Sequence, residues 1–289
     1  SIVRQPLVLV FQSLYYDINH RETEGIFSYA REAGWRVQTV EYDYAVEGRL
    51  HLTANEKGAG LLDFWKPDGC LVELECGSVG YPVEAFDAIP AVFLDRSPKE
   101  DGGSRLCVYS DSVAIAECAA KELLRFGWTN AAFVPCAEPD RTWCVERERA
   151  FVSIMRQHGC VVHVFSPNVD RANENDFLDA LGRWIADLPQ PCALFAANDL
   201  IGRQVLAMAR KTGVDVPGRM AVVAVDNEIR ICEHTIPTLS SIRQDLHAAG
   251  LLAAKLLDER MRHPRKRLKS LGFGAAELVR RAVDVGPPV

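Results

Sequence analysis

Apolar residues along this chain come in short runs of strand length, separated by longer stretches with helical spacing. The runs are Leu7–Phe11, Trp35–Val40, Gly69–Leu74, Ala91–Leu94, Leu106–Tyr109, Ala131–Pro135, Val161–Phe165, Ala193–Ala197 and Ala221–Val225. They are rich in Val, Leu, Ile and Phe and do not alternate cleanly with polar residues, as expected of strands buried on both faces of a parallel sheet. Between Asp111 and Phe126, the residues Ile115, Ala119, Leu123 and Phe126 share one helical face. Asp111 is placed to cap that helix and Gly127 to stop it. Trp143–Gln157, Leu200–Lys211 and Leu246–Met261 repeat the helical period. Strands alternating with helices predict an α/β fold of doubly wound parallel sheets, which bind ligands at the carboxyl ends of their strands.

Length turns one such sheet into two. At about 150 residues per domain, 289 residues suggest two lobes, and no low-complexity linker divides them, so the chain is expected to cross between lobes more than once. The 48% hydrophobic content is enough for a core in each. No window reaches the roughly 18 apolar residues of a membrane span, and the opening Ser1–Pro6 does not read as a signal peptide. The nine cysteines are odd in number, form no Cys-x-x-Cys pair and sit mostly in apolar runs, as Cys70 and Cys192 do. Such cysteines read as reduced small hydrophobes and point to the cytoplasm. A net charge of −6 argues against a chain whose main task is gripping phosphate backbone. The basic run from Arg260 to Lys269, broken by Pro264, reads as a solvated helix end.

Enzymatic signatures are missing. There is no Gly-x-x-x-x-Gly-Lys-Ser/Thr loop and no Gly-x-Gly-x-x-Gly after the first strand. Gly77-Ser78-Val79-Gly80 lacks the spacing of a nucleophile elbow and reads as a turn. The histidines are scattered, so neither a metal nor a cofactor is expected.

Polar residues do gather where strands end. Asp95-Arg96 follows Ala91–Leu94, Asn198-Asp199 follows Ala193–Ala197, and Asp226-Asn227 follows Ala221–Val225. The segment from Gln12 to Asp17, with Tyr15 and Tyr16, follows the first strand and belongs to a loop running to His20. In parallel sheets these positions converge on one edge, where carboxylates, amides and a guanidinium suit a ring of hydroxyls and aromatic faces suit a sugar's apolar side. Each also has a plainer reading. Asp199 caps the helix it opens, Asp226 either caps or contacts ligand, Asp95 pairs with Arg96 or caps a turn, and the tyrosines are either surface residues or cleft walls. Glu148 and Arg149 read as a solvated helix face.

Several of these segments resemble the effector domains of the lactose-repressor (LacI/GalR) type. Leu194-Phe195-Ala196-Ala197-Asn198-Asp199-Leu200-Ile201-Gly202 is similar to their "AND" segment, as are Gly213–Pro217 followed by Val222–Asn227. Pro237-Thr238-Leu239-Ser240-Ser241-Ile242-Arg243-Gln244-Asp245 is similar to their return strand. Trp143…Glu146-Arg147-Glu148-x-Ala150-Phe151, Asp226-Asn227-Glu228 and Leu278-Val279-Arg280-Arg281…Asp284 resemble XylR-type xylose-operon regulators of the AraC class.

The resemblance implies a type I periplasmic-binding-protein-like fold: two lobes joined by three crossovers, with a ligand cleft between them. The N-terminal lobe would comprise 1–109 plus 243–266, and the C-terminal lobe 110–242 plus 267–289. A DNA-binding domain is expected after 289, outside this chain. The implied ligand contacts are Arg147, Asn198 and Asp226, with Trp143 stacking and Tyr15, Tyr16, Asp95, Arg96 and Asn227 as further candidates. The implied function is a homodimeric, non-enzymatic sensor of a small sugar, a pentose such as xylose, that alters DNA binding allosterically. Two rivals share the cleft chemistry: a periplasmic sugar-binding protein of a transporter, and a sugar-processing enzyme using Asp95 and Asp226 as acid and base.

Overall fold

In the computed structural model the described residues are 4–12, 17–41, 62–73, 83–100, 102–170 and 173–282. The chain divides into two units, Ser1–Ser110 with Asp245–Phe273, and Asp111–Gln244 with Gly274–Val289. Each is built on a six-stranded sheet.

In the N-terminal unit the elements are β1 (Leu7–Gln12), α1 (Asp17–Ala33), β2 (Arg36–Glu41), β3 (Gly69–Val72), β4 (Ala91–Phe93) and β5 (Leu106–Ser110). In the C-terminal unit follow α2 (Ser112–Leu123), β6 (Asn130–Val134), α3 (Thr142–Gln157), β7 (Val161–Val164), α4 (Glu174–Asp187), β8 (Cys192–Ala196), α5 (Asp199–Thr212), β9 (Met220–Val225), α6 (Ile229–Cys232) and β10 (Ser240–Gln244). The chain then returns to the first unit for α7 (Leu246–Arg262) and β11 (Leu271–Phe273), and to the second for β12 (Ala275–Val279).

The N-terminal sheet has the order β11-β5-β4-β3-β1-β2 and is parallel throughout. The C-terminal sheet has the order β12-β10-β9-β8-β6-β7, parallel except for the edge strand β12, which pairs antiparallel with β10. The expected doubly wound architecture is therefore present in both units, with one antiparallel edge. Strand order reverses between β1 and β3 in one sheet and between β6 and β8 in the other, the two places where such sheets open a crevice.

The unbroken apolar runs are buried on both faces, as parallel strands require: every residue of β3, β8 and β9 is buried. Around the C-terminal sheet, Phe133, Phe151 and Phe195 pack ring against ring, with centroids 5.1–6.2 Å apart. In the N-terminal unit α1 lies tightly against α7. A Cβ on Gly25 would sit 2.1 Å from the His247 carbonyl oxygen, and one on Gly250 would sit 2.0 Å from that of Glu22, so only hydrogen fits at this crossing.

Three elements differ from the reading of the pattern. The segment expected as a loop to His20 becomes helical at Asp17; its inner face carries Glu22 and Thr23 beside Ile26 and Ala30, which blurs the apolar stripe. Helix α4 rests on Phe177, Leu181 and Ile185, with Asn173 capping the Asp176 amide at 3.3 Å. Strand β10 reads polar yet is almost entirely buried, its serines tied to Asp199 and Arg281. Among the described residues no helix is long and apolar enough to cross a membrane.

Candidate functional site

The C-terminal sheet brings its polar residues together at the carboxyl edge beside the β6/β8 reversal. Helix α3 starts eight residues after β6 and carries Arg147 on its inner face, two turns ahead of the buried Met155. Arg147 is 3% exposed. One of its terminal nitrogens donates to the carbonyl of Ala197, the residue just past β8, so the guanidinium bridges the two strands where their order reverses. Trp143, one turn earlier, lies under it, with the guanidinium carbon 4.7 Å from the ring centroid. Burial lowers the Arg147 pKa, and the charge of Asp226 opposes that shift. The Arg147 Nε has no hydrogen-bond partner among the described residues. A buried cation with an unspent donor is expensive, so its retention calls for an explanation.

Asp226 follows β9 with φ +108°, a conformation that side chains rarely adopt. Its amide donates to the Ile242 carbonyl at 2.9 Å, and its Oδ1 accepts from Gln244 Nε2 at 2.9 Å. The strain is thus held by β10 on the neighbouring side. Half-buried and within electrostatic reach of Arg147, Asp226 adds a carboxylate to a guanidinium and an indole face.

The remaining predicted residues are placed differently. Asn198, rather than Asp199, caps α5: its Oδ1 accepts from the Ile201 amide at 3.0 Å. Asp199 is 2% exposed and accepts from Ser241 Oγ and from the Glu228 amide, both at 2.6 Å. Burial, reinforced by Asp226, pushes it up to about 7. It therefore locks α5 to β10 and the turn before α6. Asn227 is buried, with its Oδ1 held by Arg281 at 3.0 Å and its amide donating to Ser241 Oγ at 2.9 Å, so this side chain is turned into the unit. Arg280 forks onto the buried Glu122 at 2.9 and 2.8 Å and Arg281 reaches the Leu239 carbonyl, so the paired arginines anchor the chain after β12. Asp284 lies outside the described residues.

In the N-terminal unit the β1/β3 reversal gathers a second polar group that pattern reading mostly missed. Gln12, the last residue of β1, donates to Glu22 Oε2 at 2.9 Å and accepts from the Thr23 hydroxyl. Burial first, then the charges of Glu73 and Asp95, push Glu22 well above the usual carboxylate range, favouring its neutral, proton-donating form. Asp95 thus belongs to a carboxyl group with Glu22 and Glu73. Arg96 pairs with Glu100 at 3.5 Å. Tyr15 and Tyr16 lie outside the described residues. The signal for Glu22 was an acid at the apolar position four before Ile26.

An open groove of about 370 Å³ lies elsewhere on the C-terminal unit, lined by Phe165, Pro167, Arg183 and Trp184 among others; none of the strand-edge residues lines it. Among the described residues no group of His, Cys, Asp and Glu is arranged to hold a metal ion.

Residues 120–282 match the periplasmic binding protein-like domain. A xylose operon regulatory protein of Haemophilus influenzae is 28% identical over 152 residues, 52% of this chain and 39% of that protein. The HTH-type transcriptional regulator GntR of Pseudomonas aeruginosa is 29% identical over 220 residues, 73% of this chain and 61% of that protein. This chain thus spans less than two thirds of the length of each. The solved xylose-binding transcription activator xylR superposes with a TM-score of 0.80 at 18% identity, covering 100% of this chain and 72% of the other. These relatives are transcription regulators rather than enzymes. The chain belongs to the periplasmic binding protein-like domain family.

Proposed function

We propose that this chain is the ligand-sensing part of a transcription regulator, and that its C-terminal unit holds a small sugar on Arg147 and Asp226. The observation that carries this reading is the buried Arg147 guanidinium with an unspent Nε–H at the β6/β8 reversal. A pair of vicinal hydroxyls matches that donor and the Asp226 carboxylate together, while the Trp143 face suits the apolar side of a sugar ring. The free amide nitrogen of a capping Asn198 is a further donor at the same edge. A pentose, xylose first, is the leading ligand, because two of the relatives are named for xylose.

The sugar would act by population shift, stabilising whichever conformation of the regulator binds it better and so changing how a DNA-binding domain outside this chain engages its operator. A homodimer in the cytoplasm is part of the same reading. The eight described cysteines, all free thiols, suit a reducing compartment.

The test is a thermal-shift and calorimetric screen against pentoses, hexoses and sugar phosphates, with Arg147→Ala alongside. Ligand at about 100 times its dissociation constant stabilises by roughly 2.7 kcal/mol. A sugar that stabilises the wild type and leaves Arg147→Ala unmoved supports the reading. A folded protein indifferent to every sugar refutes it.

A further inference from the structure

Two cysteines flank the start of the helix that carries the proposed sugar-binding arginine, and nothing in that role requires them. Cys136 follows β6 and Cys144 is the third residue of α3, three before Arg147, so the thiol and the guanidinium share a helix face. Both are buried, at 5% and 0% exposure. The Cys136 amide donates to Cys144 Sγ at 3.4 Å, which brings the two residues into direct contact. The Cys136 thiol also reaches the Glu138 carbonyl at 3.0 Å. Only seven residues separate the two cysteines, so a bond between them would close a short loop over the start of α3.

We propose that Cys136 and Cys144 form a reversible dithiol–disulfide couple that sets the position of the first turns of α3, and with it the ligand affinity of Arg147. The regulatory half of this inference rests on the sugar-binding reading above; formation of the couple does not.

The chemistry is a two-electron oxidation by a peroxide. Cys144 is held below the ordinary thiol value despite its burial by its contact with Cys136, whose amide donates to it, and by the Arg147 charge. Cys136 is pushed up by its neighbour Cys144 and by burial. Cys144 is thus the attacking thiolate. It takes one peroxide oxygen to become a sulfenic acid as the O–O bond breaks and the other oxygen leaves, with a proton, as water. Cys136 then attacks that sulfur, forming the S–S bond and releasing the second water. Two thiols and one hydrogen peroxide give one disulfide and two waters.

Closing the bond draws the two sulfurs to about 2.05 Å. Since Cys136 is fixed behind β6, the movement falls on the first turn of α3, which carries Trp143 and leads into Arg147. It also removes the thiolate that faces the guanidinium. Both changes disturb a donor whose direction decides whether a sugar hydroxyl is reached.

The experiment treats the purified chain with hydrogen peroxide, blocks remaining thiols with iodoacetamide and maps peptides without reduction. The expected product is a Cys136–Cys144 linked pair lacking two hydrogens, abolished by dithiothreitol. Hydrogen exchange of the Thr142–Ala150 amides is expected to slow in the oxidised wild type and to stay unchanged in peroxide-treated Cys144→Ser and Cys136→Ala. In titrations with D-xylose, oxidation is expected to weaken binding at least tenfold, with recovery on reduction and no effect in either variant. Cys144 oxidised beyond sulfenic acid with no linkage, reaction confined to the half-buried Cys118, or a linked protein with unchanged exchange would each overturn the proposal. A reduced wild type that binds no sugar would defeat the sugar reading alone, while mapping and exchange still decide the couple.

Discussion

Raising the pH from about 5.5 to about 7.5 should cost the C-terminal unit about 2 kcal/mol of stability, through Asp199 alone. Burial, and then the nearby charge of Asp226, place its folded-state pKa at about 7 against an ordinary 3.8; the bonds from Ser241, the Glu228 amide and Cys232 only partly oppose this. Between those two values the folded unit holds a proton that the unfolded chain has lost. Stability is therefore greatest on the acid side and falls as pH climbs through 7. The whole shift, about three pH units, corresponds to about 4 kcal/mol, and roughly half of it lies between pH 5.5 and 7.5. Glu22 pushes in the same direction in the other unit, so each unit needs its own readout. Urea unfolding followed by a saturating thiol-labelling pulse supplies one: Cys192 is fully buried in the C-terminal unit and Cys70 in the N-terminal one. With Asp199→Asn the loss between the two pH values, read at Cys192, should shrink to a small remainder. If wild type and variant lose equal stability at Cys192, Asp199 is not the titrating group and its assignment as a protonated lock is wrong.

Other substitutions test the packing and the site separately. Gly25→Ala forces α1 from α7 at the His247 carbonyl and should destabilise the N-terminal unit by roughly 1–3 kcal/mol, read at Cys70. Phe133→Ala empties the centre of the Phe151–Phe195 cluster and should cost the other unit about 3–5 kcal/mol, read at Cys192. Gln244→Leu removes the donor that aims Asp226; calorimetry should show sugar binding about tenfold weaker, or about 1.4 kcal/mol, with the melting temperature changed far less.

Strand positions were legible because buried parallel strands need apolar residues on both faces, and β3, β8 and β9 carry little else. Capping at Asp111 was equally local, and its Oδ1 accepts from the Ala114 amide at 3.0 Å. Where polar side chains serve the interior, pattern failed. Helix α1 hides behind Glu22 and Thr23, β10 behind two serines, an arginine and a glutamine, and Asp199 takes a structural post while its neighbour Asn198 does the capping. Arg147 in particular has the charge pattern of a solvated helix face; only the family resemblance raised it above Glu148 and Arg149.

The α/β class, the strand–helix order and the family can be read along the chain, because periodicity and short motifs act over a few residues. Which polar residues meet was decided by tertiary structure alone. Arg147 and Ala197 stand fifty positions apart, and their bond exists because β6 and β8 are neighbours at the reversal of strand order. Whether a carboxyl holds a proton, as for Glu22 and Asp199, depends on how deeply the fold removes it from water and on which charges it brings alongside. Neither quantity is a property of residues adjacent in the chain.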